Sequence, residues 1–211
     1  MIKHTVIEDA SPYFVRFTHP GIEKIIDLCN KVDIEREPVV NASLAYNRNP
    51  NFYTVQIPDD IVGELLSNIP MSKTLHFQCA MLFVSKPGAD FPIHKDGSSC
   101  TFGFNYTVKI LDDKCETHFY NDSILENLDM VKEVNKHGNV VRIVPTDSSN
   151  HPAAEKTMVA KEGECLLFNA GMFHDWDNTA SDNVRVILVL RSLEGDKLSF
   201  DDAKKLFLGI Q

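Results

Sequence analysis

The sequence predicts a mainly β protein with a β-sandwich or jelly-roll core, and three observations predict it. From residue 74 onward, short apolar runs alternate with turns rich in Gly, Pro and Asp, such as Lys86-Pro-Gly, Asp112-Asp-Lys and Lys161-Glu-Gly. Helical periodicity is confined to the front of the chain and to its last residues. A length of 211 residues, 43% hydrophobic and 24% charged, is the balance of one globular unit with a sizeable core. We expect a single domain with an α/β support region over 1–73, the β core over 74–193 and a closing helix over 194–211.

The elements follow in order. Residues 11–19 read as a short strand, and Pro20-Gly-Ile-Glu opens a helix to about Val32, with Ile22, Ile25, Ile26 and Cys29 at helical spacing. Residues 33–51 are polar, with few periodic apolar positions, and read as a loop. Phe52 to Ile57 is a strand, and Pro58-Asp-Asp starts a helix that ends at Asn68-Ile-Pro70. Leu75–Val84 alternates, placing Leu75, Phe77, Cys79, Met81 and Phe83 on one face. Strands are expected over Cys100–Ile110 and Cys115–Tyr120. Residues 121–137 carry scattered apolar positions that fit either a helix or an irregular excursion. Gly138–Val144, Lys156–Ala160, Cys165–Asn169, Phe173–Asn178 and Val184–Leu193 complete the strands, with a polar loop over Thr146–Glu155. Ser199 caps the closing helix, acids early and lysines late, as the helix dipole favours.

Composition narrows the function classes. A net charge of −9 argues against a surface that tracks nucleic-acid phosphates, so no nucleic-acid partner is expected. The five cysteines, an odd number with no CxxC pair, suit free thiols in a reducing compartment. The N-terminal residues lack the apolar core of a signal peptide, and no apolar run is long enough to span a bilayer. The expectation is a cytoplasmic protein without a membrane partner.

The chemistry centres on Phe91–Thr107. In an extended chain His94 and Asp96 point to the same side while Lys95 points away. One nitrogen and one oxygen ligand suit Fe(II) or Mn(II) once a third ligand arrives from elsewhere. His174 is the candidate, because it follows the hairpin-like Asn169-Ala-Gly turn and starts a strand. Eleven residues beyond it, Arg185 interrupts the run Val184, Val186, Ile187, Leu188, Val189, Leu190. A guanidinium there is costly unless it meets an anion, and its planar fork fits a carboxylate. The alternative is a structural ion pair with an Asp or Glu.

His94-x-Asp96, the distal His174 and Arg185 on the following strand resemble the Fe(II)- and 2-oxoglutarate-dependent dioxygenase superfamily over roughly residues 75–192. The Pro87-Gly88 turn, Asn105, Thr117-His-Phe-Tyr120 and the Gly163–Phe168 strand look most like its aspartyl/asparaginyl β-hydroxylase-like or prolyl-hydroxylase-like members. Asp96 departs from the aspartyl hydroxylases, which lack this carboxylate, and Gly103 stands where they carry arginine. The resemblance implies a double-stranded β-helix (jelly-roll, cupin-like) core. It also implies Fe(II) held by His94, Asp96 and His174, with 2-oxoglutarate chelating the iron and paired through its far carboxylate with Arg185. O2 would be the co-reactant, succinate the coproduct and hydroxylation of a protein side chain or small molecule the outcome. A carboxylate ligand favours hydroxylation over halogenation.

Alternatives without 2-oxoglutarate turnover are a cupin-like metal-binding protein and a metal-dependent isomerase in which Arg185 holds the substrate. A nucleic-acid demethylase of the superfamily is disfavoured by the charge and because the next arginine is Arg191. Asn105 shares a strand face with Gly103 and Thr107, opposite Phe102, Phe104, Tyr106 and Val108. It either hydrogen-bonds the cosubstrate or a ligand, or is an ordinary cross-strand amide. Thr117 and Tyr120 are oddly spaced, so only one faces inward to touch cosubstrate or substrate. Trp176 packs in the core or walls the substrate. His118, His137 and His151 read as surface residues and Cys100 as a small core residue. Residues 33–51 and 121–160 are placed to gate substrate.

Overall fold

The computed structural model describes residues 4–35, 51–73, 75–97, 100–125, 128–134, 138–146, 152–195 and 197–210. The front of the chain gives β1 (Thr5–Ala10), β2 (Phe14–Thr18), α1 (Ile22–Asn30), β3 (Phe52–Gln56) and α2 (Asp59–Asn68). There follow β4 (Phe77–Ser85), β5 (Asp90–Asp96), β6 (Gly103–Lys109), β7 (Glu116–Tyr120) and the short α3 (Asp122–Leu125). The remainder is β8 (Met130–Val134), β9 (Val140–Pro145), β10 (Lys156–Val159), β11 (Cys165–Phe168), β12 (Phe173–Asp177), β13 (Arg185–Ser192) and α4 (Phe200–Leu208).

Two antiparallel sheets form the jelly-roll sandwich. The larger runs β1-β2-β11-β6-β13-β4-β3 and the smaller β10-β7-β12-β5-β9-β8. Strand parity decides what each residue of the larger sheet does. Leu82 and Val84, Phe104, Tyr106 and Val108, Leu167, and Val186, Leu188 and Leu190 point to one side, where α1, α2 and α4 cover them. The intervening Phe83, Ser85, Asn105, Ile187 and Val189 point to the other side, toward the smaller sheet. Helix packing is therefore the anchor. Ile25, Leu65 and Ala203 are fully buried, and each buried Leu or Ile contributes about 1.5–3 kcal/mol.

The predicted caps are partly realised. Ser199 and Asp202 form a reciprocal capping box at the start of α4, and Gly209 ends it in the left-handed conformation. At α2, Pro58 sits at the N-cap and makes no side-chain cap, so Asp59 and Asp60 act through the helix dipole instead. Two expectations change. The described residues of 121–137 form α3 and the strand β8, neither one helix nor wholly irregular. β1 was not expected from the pattern, because as an edge strand it is mostly exposed and pairs only with β2. Residues 36–50 of the 33–51 loop and 147–151 of the Thr146–Glu155 loop lie outside the described residues. No described helix is long and apolar enough to cross a membrane. The described cysteine side chains Cys29, Cys100, Cys115 and Cys165 are buried free thiols.

Candidate active site

β5 and β12 are neighbours in the smaller sheet, and His94 pairs directly with His174. Asp96 lies two residues on, on the same face. One ligand atom from each of these three buried residues lies within 4.8 Å of the others, all in the cavity between the sheets. The histidines are pre-oriented. Nδ1 of His94 lies 2.9 Å from the Pro92 carbonyl, and Nδ1 of His174 2.9 Å from the Met172 carbonyl. A carbonyl only accepts, so each Nδ1 carries the proton and each Nε2 lone pair is left for a metal. Burial holds the pKa of His94 well below the usual range, helped by His174 and Arg142 nearby. Burial also lowers that of His174, against the opposing pull of Asp96. Neutral imidazoles are the form a metal needs.

Asp96 supplies the third donor. Its Oδ2 is 3.4 Å from Nη2 of Arg191, while its buried Oδ1 has no hydrogen-bond partner and sits 3.9 Å from Nε2 of His94. Two imidazole nitrogens and one carboxylate oxygen on one side of a point are the donor set of a non-haem Fe(II) site with open positions. Local packing enforces the arrangement. A Cβ on Gly97 would overlap the Val140 carbonyl, so glycine lets β9 approach β5 and set Arg142 across from Asp96. A Cβ on Gly103 would overlap the ring of Phe168, which stands edge-on to His174 at 5.3 Å. An arginine at that position would displace Phe168 from the histidine.

Arg185 reaches the same cavity from β13 of the opposing sheet and is only 7% exposed. Its Nη2 donates to Oγ1 of Thr117 at 3.3 Å, and its guanidinium lies 5.8 Å from the Trp176 ring. Its buried Nε has no hydrogen-bond partner, and no carboxylate pairs with it among the described residues. The structural ion pair is thus not found there. Asn105 also lines the cavity and its buried Oδ1 has no partner, unlike an ordinary cross-strand amide.

Of the oddly spaced pair, Thr117 faces inward. Tyr120 does not: it points to the outer side of the smaller sheet, where its hydroxyl donates to Oδ2 of Asp175 at 2.7 Å. It therefore does not line this cavity, to which its odd-numbered neighbours Thr117 and Phe119 contribute. Trp176 lines the cavity while stacking on Phe91 at 5.8 Å and packing on Phe52 at 5.0 Å. His118 is not a bare surface residue. Nδ1 lies 2.7 Å from Oδ1 of Asp175 and Nε2 3.0 Å from Glu116, and the Asp175 hydrogen bond, aided by Glu116, pushes its pKa up to about 9. His137 and His151 lie outside the described residues.

Two charged residues lining the cavity, Arg142 and Arg191, are not among the expected site residues. A signal existed for both. Arg142 interrupts Val140-Val-Arg-Ile-Val144 as Arg185 interrupts its own strand, and Arg191 is an even step from Arg185, hence on the same face.

No protein-family profile matches the chain, and no curated protein sequence matches it either. Its fold, however, matches solved structures. EvdO2 from Micromonospora carbonacea var. aurantiaca, complexed with 2-oxoglutarate, is 13% identical with a TM-score of 0.57, over 91% of this chain and 94% of that one. The epimerase SnoN, solved with Fe3+, alpha-ketoglutarate and nogalamycin RO, is 12% identical with a TM-score of 0.53, over 85% and 78%. HygX from Streptomyces hygroscopicus, with nickel and 2-oxoglutarate bound, is 11% identical with a TM-score of 0.53, over 85% and 82%. The chain has the fold of these proteins, each solved with 2-oxoglutarate, and gathers His94, Asp96 and His174 between its two sheets.

Proposed function

We propose that this chain is a single-domain Fe(II)- and 2-oxoglutarate-dependent oxygenase, a hydroxylase of a protein side chain or small molecule that works in the cytosol. One observation carries the reading. Arg185 is a buried cation with no carboxylate partner among the described residues, and it faces the cavity that holds a His-Asp-His donor set. A guanidinium in that state is stabilised by an anionic ligand, and the dianion 2-oxoglutarate meets both needs. The enzymes that share the fold and were solved with 2-oxoglutarate support the same cosubstrate.

In this reading His94 and His174 hold the iron through Nε2 and Asp96 through its unpaired carboxylate oxygen. The bound iron supplies O2 activation coupled to decarboxylation of 2-oxoglutarate to succinate. Arg185 pairs with the far carboxylate, and the Thr117 hydroxyl keeps the guanidinium in place. Asn105 offers its side-chain amide to cosubstrate or ligand. Phe91, Phe119, Phe168 and Trp176 make an apolar wall that keeps bulk water away and strengthens each ionic contact inside. The cupin-like and isomerase alternatives would leave 2-oxoglutarate unbound and are not favoured.

The test is an anaerobic titration of metal-free protein with Fe(II) and then 2-oxoglutarate, followed by visible absorption. The expected result is a weak charge-transfer band of the chelated complex, absent in Arg185→Ala. Iron binding without the band would defeat the oxygenase reading and leave a metal-binding or isomerase site. Absence of iron binding would defeat the metal site itself.

A further inference from the structure

A guanidinium on a long, flexible side chain seats a carboxylate well only if its plane is fixed beforehand, because ordering it on binding weakens the seat. Strand β7 supplies the fixing for Arg185. Thr117 points inward from that strand and accepts from Nη2 at 3.3 Å. Cys115 stands two residues earlier, one step before β7 begins, so it takes the inward parity of Thr117 and Phe119 while Glu116 and His118 meet on the outer face. It is buried, at 2% exposed. Its sulfur lies against Arg185. Burial raises the thiol pKa, the Asp177 and Asp112 charges add to that, and Arg185 opposes it through its charge and its polar contact with the sulfur.

The flanking turns bring these two residues together. Oδ2 of Asp112 accepts from Oγ of Ser181 at 2.8 Å and from Nδ2 of Asn183 at 2.7 Å. One carboxylate thus ties the turn that leads into Cys115 to the turn that leads into Arg185. The chemistry of the contact matters as much as its place. A thiol held above its usual pKa is neutral, and so is the Thr117 hydroxyl. Both orient the guanidinium without cancelling its charge. A carboxylate in either place would complete an ion pair and satisfy the cation within the protein. Nε of Arg185, buried and without a hydrogen-bond partner, is left for a ligand.

Resting on the Fe(II) and 2-oxoglutarate reading above, we propose that Cys115 is a positioning residue for the cosubstrate. With Thr117 it forms a neutral clamp that fixes the Arg185 guanidinium for the far carboxylate of 2-oxoglutarate and leaves its positive charge uncancelled.

The test compares 2-oxoglutarate with 2-oxopentanoate, which has the same chain length and the same metal-chelating head but a methyl group in place of the far carboxylate. Both are titrated into the whole chain loaded with Mn(II), by calorimetry and by the fluorescence of Trp176, the sole tryptophan, whose ring is 5.8 Å from the guanidinium. The affinity ratio of the two acids reads the Arg185 seat alone. Wild type is expected to favour 2-oxoglutarate by about 100-fold. Cys115→Ala should cut that ratio by about fivefold, and Cys115→Ser, which restores a neutral acceptor, should recover most of it. Cys115→Asp, which sets a carboxylate against the guanidinium, should bring the ratio down to about one. The affinity for 2-oxopentanoate should stay the same in all four proteins, which a general loosening of the fold would not allow. Thermal melts check folding, and Cys115→Ala with Cys115→Ser decide the matter if the aspartate variant does not fold. A ratio unchanged in Cys115→Ala, or equal weakening of both acids, would overturn the clamp while the wild-type ratio still upheld the oxygenase reading. A wild-type ratio near one would overturn both, since no anion seat would then exist for Cys115 to position.

Discussion

Strands β7 and β12 carry polar residues on both faces, and the two faces treat them differently. Outward, Glu116, His118, Tyr120 and Asp175 close into one network, with contacts of 2.7 Å from Asp175 to both His118 and Tyr120. Inward, across the cavity lined by their neighbours Thr117, His174 and Trp176, the site keeps polar atoms with no hydrogen-bond partner among the described residues: Oδ1 of Asp96, Oδ1 of Asn105 and Nε of Arg185. Buried polar groups in native proteins are overwhelmingly paired. A closed network is therefore the mark of a structural cluster, and a set of orphans facing one cavity is the mark of a ligand site. The two clusters lie a single residue apart in sequence, so neither burial nor composition alone tells them apart.

The largest effects should come from breaking the inner face. His174→Ala and Asp96→Ala are each expected to weaken Mn(II) binding by more than about 100-fold in calorimetric titration, since each removes a direct donor. Tyr120→Phe, on the outer face of the next strand, should leave metal affinity within a few-fold. Equal losses for inner and outer variants would dissolve the distinction. Next in size, Arg185→Leu should weaken 2-oxoglutarate binding to the metal-loaded protein by about 100-fold or more, roughly 2.7 kcal/mol. Metal affinity without cosubstrate should scarcely move.

The outer face sharpens the comparison in the other direction. Asp175→Asn is expected to lower the unfolding free energy by about 2 kcal/mol in urea denaturation, because it breaks a buried charge-assisted pair to His118 and weakens the bond from Tyr120. Unchanged stability would mean the network is decorative. The smallest effect is one of pH. The pKa of His118 is raised in the fold to about 9, so its contribution is fully present below the unfolded value near 6.5 and fades as pH rises through about 9. Stability should decline over that window in the wild type, and His118→Gln should flatten the decline.

What the sequence made legible follows from the same physics. Arg185 stood out because a cation inside Val184–Leu190 is expensive wherever the strand is buried, and His94 with Asp96 stood out because strand geometry puts i and i+2 on one side. The helices α1, α2 and α4 were legible from apolar periodicity and their starting residues. β1 was hidden because its exposed edge position leaves no alternation to read. Residues 121–137 were ambiguous because a four-residue helix and a five-residue strand share too few apolar positions to set a period. His118 could not be placed because its partner Asp175 is 57 residues away and meets it only through β7–β12 pairing. Arg142 offered the same signal as Arg185 but had no ligand pattern beside it in sequence, so only the close approach permitted by Gly97 ties it to the site.

The most direct measurement is the unfolding free energy of wild type and Arg185→Leu, each with and without Mn(II) plus 2-oxoglutarate. With 2-oxoglutarate at about 100 times its dissociation constant, the wild type should gain about 2.7 kcal/mol over metal alone. Arg185→Leu should gain about 0.4 kcal/mol or less from the same 2-oxoglutarate, yet be at least as stable as the wild type without ligand, because it removes a buried cation that lacks a carboxylate partner among the described residues. A variant several kcal/mol less stable without ligand that still gained the full increment from 2-oxoglutarate would contradict the account, making Arg185 a structural residue and its cavity something other than an anion seat.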